Sequence, residues 1–321
     1  MKHWIVIGIT ALCLAAGSAV AQEWPTRPVK LIVPYPAGGG VDVMARALAQ
    51  RLQDKWQQPI TIDNRPGANT LLGTEAAARA TDNHTLLFTT DATFTINPHL
   101  YTKLPYDADK DFAPVTQLVA FSQMLVANAN LPANNLKELL ALAKAQPGSL
   151  SYASYGPGSQ PQLATEMLKQ KAGVFIVHIP YRGIPQAITA VVSGEVPLTW
   201  SGIVSARPHI ASKRIKALAY GGKTRAPAYP DVPTMTELGF PEVDANVWVG
   251  VFAPASFAPA LVNRMHRDIL SVISEADFRS KEIEGKSYDF AGAGPDEFRR
   301  HIRNESASRR TTIKTSGTVI E

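Results

Sequence analysis

The chain has 321 residues, of which 45% are hydrophobic, and its formal net charge at neutral pH is +5. This apolar content suffices for two globular domains. The small, dispersed basic excess excludes nucleic acid as a partner, and beyond the first twenty-odd residues no apolar run is long enough to cross a bilayer.

The N-terminus has the pattern of a secretory signal peptide. Lys2 precedes an apolar stretch from Trp4 to Ala16, and the small residues Ala19-Val20-Ala21 follow. This pattern predicts cleavage after Ala21 and export to the periplasm. The alternative, a membrane anchor, fits less well because glycine and serine interrupt the stretch, which is shorter than about 20 residues. Cys13, the only cysteine of the sequence, lies in the segment to be removed, so the mature protein is predicted to have no thiol chemistry.

The first half of the chain alternates β-branched runs with amphipathic stretches. Strand Val29 to Pro34 precedes a helix from about Asp42 to Trp56 and a strand from Ile60 to Asp63. A helix from Thr70 to Ala80 then leads into strand Thr85 to Thr90. Such alternation predicts parallel sheets covered by helices, and hence an α/β fold.

After two strands, Phe112 to Leu118 and Gln123 to Ala129, the alternation starts again. The further predicted elements are helix Leu136 to Ala145, strand Ser149 to Tyr155, helix Pro161 to Lys171, strand Phe175 to Pro180, helix Pro185 to Val192, strand Val196 to Trp200, helix Val204 to Ala211, strand Ile215 to Tyr220, strand Val247 to Phe252 and a helical region from Pro259. The chain is predicted to leave a first lobe near residue 123 and to return near residue 247. We therefore expect a signal peptide (1–21), lobe 1 (22–123 plus 247–321) and lobe 2 (124–246).

One feature recurs once in each half: a strand leads into a glycine-containing loop that opens a helix. The two loops are Tyr35 to Asp42 and Ser154 to Gln162. Glycine lets a backbone turn tightly and approach a ligand closely. The first amides of a helix lack internal partners and carry partial positive charge, so an anion is a natural ligand there.

Neither loop fits a nucleotide-binding motif. A single loop of this kind is equally well explained as a tight strand-to-helix turn. Two such loops, one in each predicted lobe, favour a ligand pocket, because ligands of open α/β sheets bind beyond the carboxyl ends of the strands.

Several motifs resemble the tripartite tricarboxylate transporter substrate-binding proteins, also called the Bug or TctC family, over the whole mature chain. These motifs are Val33-Pro-Tyr-Pro-Ala-Gly-Gly-Gly-Val-Asp42, Asp63-Asn-Arg-Pro-Gly-Ala68, Ile96-Asn-Pro-His-Leu-Tyr101, Leu104-Pro-Tyr-Asp107, Asp111-Phe-Ala-Pro114, His178-Ile-Pro-Tyr-Arg-Gly183, Pro230-Asp-Val-Pro-Thr234 and Trp248-Val-Gly-Val-Phe-Ala-Pro254. The resemblance implies a two-lobed flytrap fold in the periplasm, each lobe a mainly parallel sheet flanked by helices. It also implies that a small carboxylate is captured between the lobes and delivered to the membrane components of a tripartite tricarboxylate-type transporter.

The resemblance assigns ligand contacts to both loops. Tyr35 would be an aromatic wall of the pocket, and the donors would be Ala37, Gly38, Gly39 and Gly40 in the first loop and Ser154, Gly158, Ser159 and Gln160 in the second. Asp42 has two interpretations: it contacts the ligand, or it only stabilises the helix that it opens, as first-turn acids do.

Two departures from the family pattern bear on specificity. Many relatives have an acid where this chain has Ser201, and an acid there would pair with an ammonium group, so we expect a ligand without an amino group. Asp91 has no counterpart in most relatives and is either a cap for its turn or a contact at the far end of the pocket. With Tyr35, the aromatic residues Phe94 and Trp200 would favour a flat or aromatic ligand, although most aromatic residues belong to a core.

An enzyme is the rival class, specifically a secreted hydrolase acting on a small carboxylate or ester. The histidines have no metal-binding spacing, and the sequence has no G-x-S-x-G motif. We therefore predict a monomeric binding protein with no catalytic residues, no metal and no cofactor. Its ligand would be a dicarboxylate, a tricarboxylate or an aromatic carboxylate.

Overall fold

The computed structural model describes residues 24–316, so the predicted signal peptide lies outside the described residues. The strands are β1 (Val29–Val33), β2 (Ile60–Asn64), β3 (Thr85–Thr90), β4 (Phe112–Asn128), β5 (Ser151–Ser154), β6 (Val177–Pro180), β7 (Leu198–Gly202), β8 (Ile215–Tyr220), β9 (Asn246–Pro254) and β10 (Asp289–Ala293). The α-helices are α1 (Gly40–Trp56), α2 (Leu71–Ala78), α3 (Asn97–Leu100), α4 (Leu136–Ala145), α5 (Gln160–Ala172), α6 (Ile184–Ser193), α7 (Ile203–Ala211), α8 (Pro259–Ile273), α9 (Ala276–Phe278) and α10 (Pro295–Ser316). Short π-helical turns lie at Ala92–Ile96 and Arg279–Ile283, and a 3-10 turn lies at Glu284–Lys286.

The strands form two sheets, each with a parallel part and antiparallel strands beside it. In the first sheet, β1 pairs in parallel with β2 and β3, whereas β9 is antiparallel to β3 and β4, and β10 is antiparallel to β4. In the second, β5 pairs in parallel with β6 and β7, and β4 is antiparallel to β7 and β8. We refer to the first sheet and its helices as lobe 1, and to the second as lobe 2.

A single long strand joins the two sheets. β4 spans 17 residues, where the sequence pattern predicted two separate strands. Its partner in lobe 1 is β9 as far as Ser122, and from Gln123 onward its partner is β7 in lobe 2. The chain returns to lobe 1 at Asn246, where β9 begins. We propose that the lobes meet at these two crossings, close to the residues predicted from the sequence.

Apolar periodicity explains the helices that cover the sheets. In α1, residues Met44, Leu48, Leu52 and Trp56 are buried on one face, which packs in the core of lobe 1. The helix ends at Gln57, which adopts a left-handed conformation. The C-terminal region predicted to be helical also contains β10, which pairs with the lobe 1 part of β4. Within residues 24–316, no helix combines the length and the hydropathy that a transmembrane span requires.

Candidate ligand-binding site

The two glycine loops both lie at the carboxyl ends of parallel strands. The first connects β1 to α1, and the second connects β5 to α5. They also correspond position by position, since Tyr155, Gly158, Ser159 and Gln162 each follow a residue of the first loop by 120 positions. We call Tyr35 to Asp42 the first loop and Ser154 to Gln162 the second loop.

In the first loop, the ionised side chain of Asp42 accepts a hydrogen bond from a backbone amide of the loop. Gly38 has a φ of 81°, and its amide donates to the carboxylate of Asp42 at 2.8 Å. The same carboxylate accepts hydrogen bonds from Arg46 Nε and Asn64 Nδ2, both at 2.9 Å. Burial by itself would raise the pKa of Asp42, but the hydrogen bonds from Arg46, Gly38 and Asn64 together hold that pKa below its ordinary value. Asp42 therefore holds the loop and does not line the cleft, which supports the helix-stabilising interpretation over the ligand contact.

The second loop has the same hydrogen bond, but its acceptor is the neutral side chain of Gln162. Gly158 has a φ of 76°, and its amide donates to Oε1 of Gln162 at 2.5 Å. The Ser159 hydroxyl donates to the Gly156 carbonyl at 2.6 Å, and the Gly156 amide donates to Ser154 Oγ at 3.0 Å. The polar groups of this loop thus bond mainly to the loop itself.

A narrow inner cleft lies between the loops and the crossing strands, with a cavity volume of about 60 Å³. Tyr35, Gly39 and Gly40 of the first loop line it, as does Tyr155 of the second. Because α1 begins at Gly40, the unpaired amides of its first turn lie at this cleft. The remaining wall is largely aromatic and aliphatic, and includes Phe121, Val204, Val247 and Tyr288.

A wider outer cleft, of about 490 Å³, adjoins the inner one, and Tyr35 and Tyr155 line both. Its lobe 1 wall is the segment Gly67 to Thr70, and its lobe 2 wall includes Pro157, Tyr181 and Arg182. Three successive residues, Ala68, Asn69 and Thr70, have positive φ angles of 44°, 46° and 77°. Non-glycine residues in this conformation cost on the order of 1 kcal/mol each and persist only where surrounding structure holds them.

A buried polar network holds this strained segment. Asn69 donates to Oδ1 of Asn97 at 2.8 Å, and Asn97 donates to the Asn69 carbonyl at 2.7 Å. The Thr70 hydroxyl lies 2.9 Å from that of Thr93. These hydrogen bonds hold the backbone of the outer cleft wall in its strained conformation.

Both tyrosines that separate the clefts are neutral at physiological pH. The hydroxyl of Tyr35 lies 2.7 Å from that of Thr90. Burial raises the pKa of Tyr35 and of Tyr155 well above the ordinary tyrosine value. Among the described residues that line the inner cleft, none carries a charged side chain. A ligand anion in the inner cleft would thus meet hydroxyls and amides. No negatively charged side chain among these lining residues would repel it.

Asp91 lies behind this wall and not in it. Its carboxylate is 1% exposed and is 4.0 Å from Nη2 of Arg309, which also contacts Glu305 at 3.2 Å and Asp244 at 3.4 Å. Burial and the charge of Glu305 raise the pKa of Asp91 well above its ordinary value, and Arg309 only partly opposes this. Asp91 belongs to a buried charge cluster, so the suggested contact with the ligand is not supported.

Several other predicted contacts are placed away from both clefts. Ser201 is fully buried, and its hydroxyl donates to the Gly202 carbonyl at 3.2 Å. Its neighbour Gly202 lines the inner cleft, but Ser201 does not, so Ser201 cannot set ligand specificity by direct contact. The other predicted contacts that line neither cleft are Ala37, Gly38, Ser154, Gly158, Ser159 and Gln160.

The aromatic residues named from the sequence lie in different environments. Phe94 stacks on Phe252 in a core cluster of lobe 1, and Trp200 is fully buried with its indole N–H donating to Thr165. The aromatic residues found in the inner cleft, besides Tyr35, are Phe121, Tyr155 and Tyr288. Tyr155 could have been recognised from its match to Tyr35, but Phe121 and Tyr288 are brought in by distant parts of the chain.

The hydrolase alternative requires a nucleophile and a base that a substrate can reach. Ser154 Oγ lies 2.6 Å from Nε2 of His178, which is the distance expected for such a pair. Ser154 is 0% exposed, however, and lines neither cleft. The hydroxyl also accepts the Gly156 amide, so the pair fixes the second loop and has no access to a substrate.

Two α/β lobes joined by crossing strands, with a cleft at the carboxyl ends of their parallel strands, define the architecture of periplasmic binding proteins. Residues 44–318 match the family described as "Tripartite tricarboxylate transporter family receptor", and the chain belongs to this family. The recognition made from the motifs is thereby confirmed. The family consists of substrate-binding receptors and not of enzymes.

Individual proteins are also similar to this chain in sequence and in structure. The protein BugT of Bordetella pertussis is 36% identical over 304 residues, which cover 94% of this chain and 93% of BugT. The structure of Rhodopseudomonas palustris Rpa4515 with adipate has a TM-score of 0.89 and 28% identity, covering 92% of this chain and 99% of that protein. MatC from the same organism, with bound malate, has a TM-score of 0.85 and 28% identity, covering 90% and 100%. These similarities confirm the predicted two-lobed binding-protein fold.

Proposed function

We propose that this protein is a periplasmic solute-binding protein that captures a small carboxylate without an amino group between its two lobes. The observation that carries the proposal is the matched pair of glycine loops, of which one comes from each lobe. The first places a helix N-terminus at the inner cleft, where no described lining residue carries a negative charge. A carboxylate there would accept hydrogen bonds from unpaired amides and from tyrosine hydroxyls.

The absence of an amino group has a physical basis in the lining of the clefts. Among the described residues that line them, none is aspartate or glutamate. A ligand ammonium group would therefore lose its water without gaining an anionic partner. This argument replaces the one from Ser201, which lies away from the cleft.

The similar structures support a carboxylate as ligand. Rpa4515 is described with adipate and MatC with malate, and both acids lack an amino group. Four to six charge-assisted hydrogen bonds contribute roughly 1.5 to 3 kcal/mol each, which after the costs of association corresponds to a dissociation constant on the order of micromolar.

Isothermal titration calorimetry with matched acids tests this function. We expect succinate-like dicarboxylates, tricarboxylates or aromatic carboxylates to bind, and aspartate, which is succinate with an added amino group, to bind far more weakly. The acid should be recovered unchanged from the saturated complex. Absence of binding to every carboxylate, preferential binding of aspartate, or turnover of the acid would contradict the proposal.

Delivery and location form the second part of the proposal. Cleavage after Ala21 would release a monomer into the periplasm, where it would pass its ligand to tripartite tricarboxylate-type membrane components. Osmotic-shock fractionation and N-terminal sequencing of the released protein test the location. A mature N-terminus other than Gln22, or retention in the membrane fraction, would contradict it.

A further inference from the structure

The outer cleft contains an arginine that the proposed capture of one carboxylate does not use. Arg182 follows β6, at the carboxyl end of the lobe 2 sheet, and it is exposed. Of the described residues that line the two clefts, it has the only charged side chain. In the described chain, its guanidinium has no hydrogen bond and no ion pair.

The backbone around Arg182 is held in place although the side chain is free. The Tyr181 amide donates to the Ser154 carbonyl at 2.9 Å, and the Tyr181 hydroxyl donates to Glu195 at 2.9 Å. On the other side, Gly183 packs so closely on the first loop that a Cβ there would lie 2.4 Å from Cγ of Pro36. The start of the side chain is thus fixed relative to both loops.

The wall opposite Arg182 is also fixed. It is the segment Gly67 to Thr70, in which three successive non-glycine residues keep positive φ angles. Strained backbone of this kind is concentrated where a ligand is positioned. The outer cleft, with a volume of about 490 Å³, is large enough for the remainder of a ligand whose first carboxylate occupies the inner cleft.

We propose that Arg182 binds a second carboxylate, so that the protein selects dicarboxylates over monocarboxylates of the same chain length. This inference rests on the proposed function, because it needs a first carboxylate at the glycine loops. A guanidinium suits this role since its planar array of donors matches both oxygens of a carboxylate and stays charged at all physiological pH values. Tyr35 and Tyr155, which line both clefts, would flank the chain that joins the two carboxylates.

Calorimetry with pairs of acids that differ only in the second carboxylate tests the proposal. Hexanoate and adipate form one pair, and butyrate and succinate another. For the wild-type protein we expect the dicarboxylate of at least one pair to bind about tenfold or more tightly than its partner. In Arg182→Gln, the dicarboxylate should weaken about tenfold or more, and the monocarboxylate should bind as before.

Arg214→Gln is the matched control, because it removes the same charge from the same lobe just before β8, away from both clefts. It should change neither affinity. Equal binding of mono- and dicarboxylates by the wild type, or an Arg182→Gln variant that weakens both acids equally or neither, would overturn the role of Arg182. If no acid of either kind binds the wild-type protein, the proposed function itself fails.

Discussion

The two glycine loops share a backbone design but are held together by different chemistry. In each, a glycine with positive φ donates its amide to the side chain four residues later. In the first loop the acceptor is Asp42, which is also tied to Arg46 and Asn64. In the second loop the acceptor is the neutral Gln162. Both loops thus use a side-chain acceptor at this position, and only the one in lobe 1 is an acid.

The loops also differ in what they present to the ligand. The first contributes Gly39 and Gly40 at the start of a helix to the inner cleft, whereas the second contributes only Tyr155, and Ser159 and Gln160 at its helix start are buried. The Gln160 side chain at that start donates to the carbonyl of Asp244, next to the return crossing to lobe 1. We infer that the first loop supplies donors to the cleft, whereas the start of the helix after the second loop bonds within lobe 2.

The largest effect should come from filling the inner cleft at the first loop. A Cβ at Gly39 would contact only the Pro36 carbonyl oxygen, at 3.5 Å, and the φ of Gly39 is −74°. Gly39→Leu should therefore fold normally, but its side chain would occupy the space of the ligand. We expect carboxylate affinity to fall roughly 10- to 100-fold or more, measured by calorimetry.

A bulky residue at Gly158 should have a different effect. The φ of 76° at this position strains any other residue, so Gly158→Leu should lose stability as well as affinity. Unchanged affinity in Gly39→Leu would show that the first loop is only a turn.

The next largest effect is on stability and concerns Asp42 and Gln162, the side chains that accept the glycine amides of the two loops. Asp42→Ala removes an ionised acceptor of three hydrogen bonds, and Gln162→Ala removes a neutral one. We expect losses in the free energy of unfolding of about 2 to 3 kcal/mol and about 1 kcal/mol, respectively, in urea titrations at pH 7.

The pH dependence separates these two variants. The pKa of Asp42 is lowered in the folded protein, so its stabilisation is present above its ordinary pKa of 3.8 and is lost as the pH falls below that value. The difference between wild type and Asp42→Ala should shrink on acidification, whereas that for Gln162→Ala should not. Equal losses at all pH values would mean that the charge of Asp42 is irrelevant.

A smaller effect of opposite sign is expected at Asp91. Asp42 and Asp91 are equally buried, but the pKa of Asp91 is raised, because burial and Glu305 outweigh Arg309. A raised pKa makes the folded state favour the protonated acid, so stability is lost as the pH rises through that pKa. Asp91→Asn should therefore be more stable than wild type at pH 8, by on the order of 1 kcal/mol, and equal to it near pH 3.

Thermal unfolding at both pH values measures this effect. Asp109→Asn, at an exposed position, is the control and should shift the free energy of unfolding by less than about 0.5 kcal/mol. An Asp91→Asn variant that is less stable at pH 8 would show that the ion pair with Arg309 dominates.

The smallest effect should come from giving the second loop a residue of the first. Ser159→Gly copies Gly39 and removes the hydrogen bond from the Ser159 hydroxyl to the Gly156 carbonyl. We expect a loss of about 0.5 to 1 kcal/mol in unfolding free energy and no change in ligand affinity. A marked loss of affinity would show that Ser159 contacts the ligand, as the family resemblance suggested.

The sequence predicted the fold well because local periodicity determines each element. Most strand and helix positions agree within a few residues, and the glycine loops are where strands lead into helices. The long β4 and the small β10 were missed, since an unbroken strand and a pairing with residues far away depend on tertiary contacts.

The candidate site was harder to predict than the fold. Of the predicted contacts, Tyr35, Gly39 and Gly40 line the inner cleft, because they follow directly from the loop. The polar groups of the second loop bond mainly to that loop, and Asp91 lies in a buried charge cluster with Arg309. A sequence does not show which way such side chains turn. Phe121 lies in β4, and Tyr288 directly precedes β10, which pairs with β4; no local pattern indicates this pairing of distant segments.

The passage of β4 through both sheets has a consequence for how the protein unfolds. Loss of either sheet would remove hydrogen-bond partners from a strand that continues directly into the other, so the lobes should melt as one cooperative unit. Fluorescence of tryptophan, which is buried at Trp200 in lobe 2 and at Trp56 in lobe 1, and the circular dichroism of the backbone should follow one common denaturation curve.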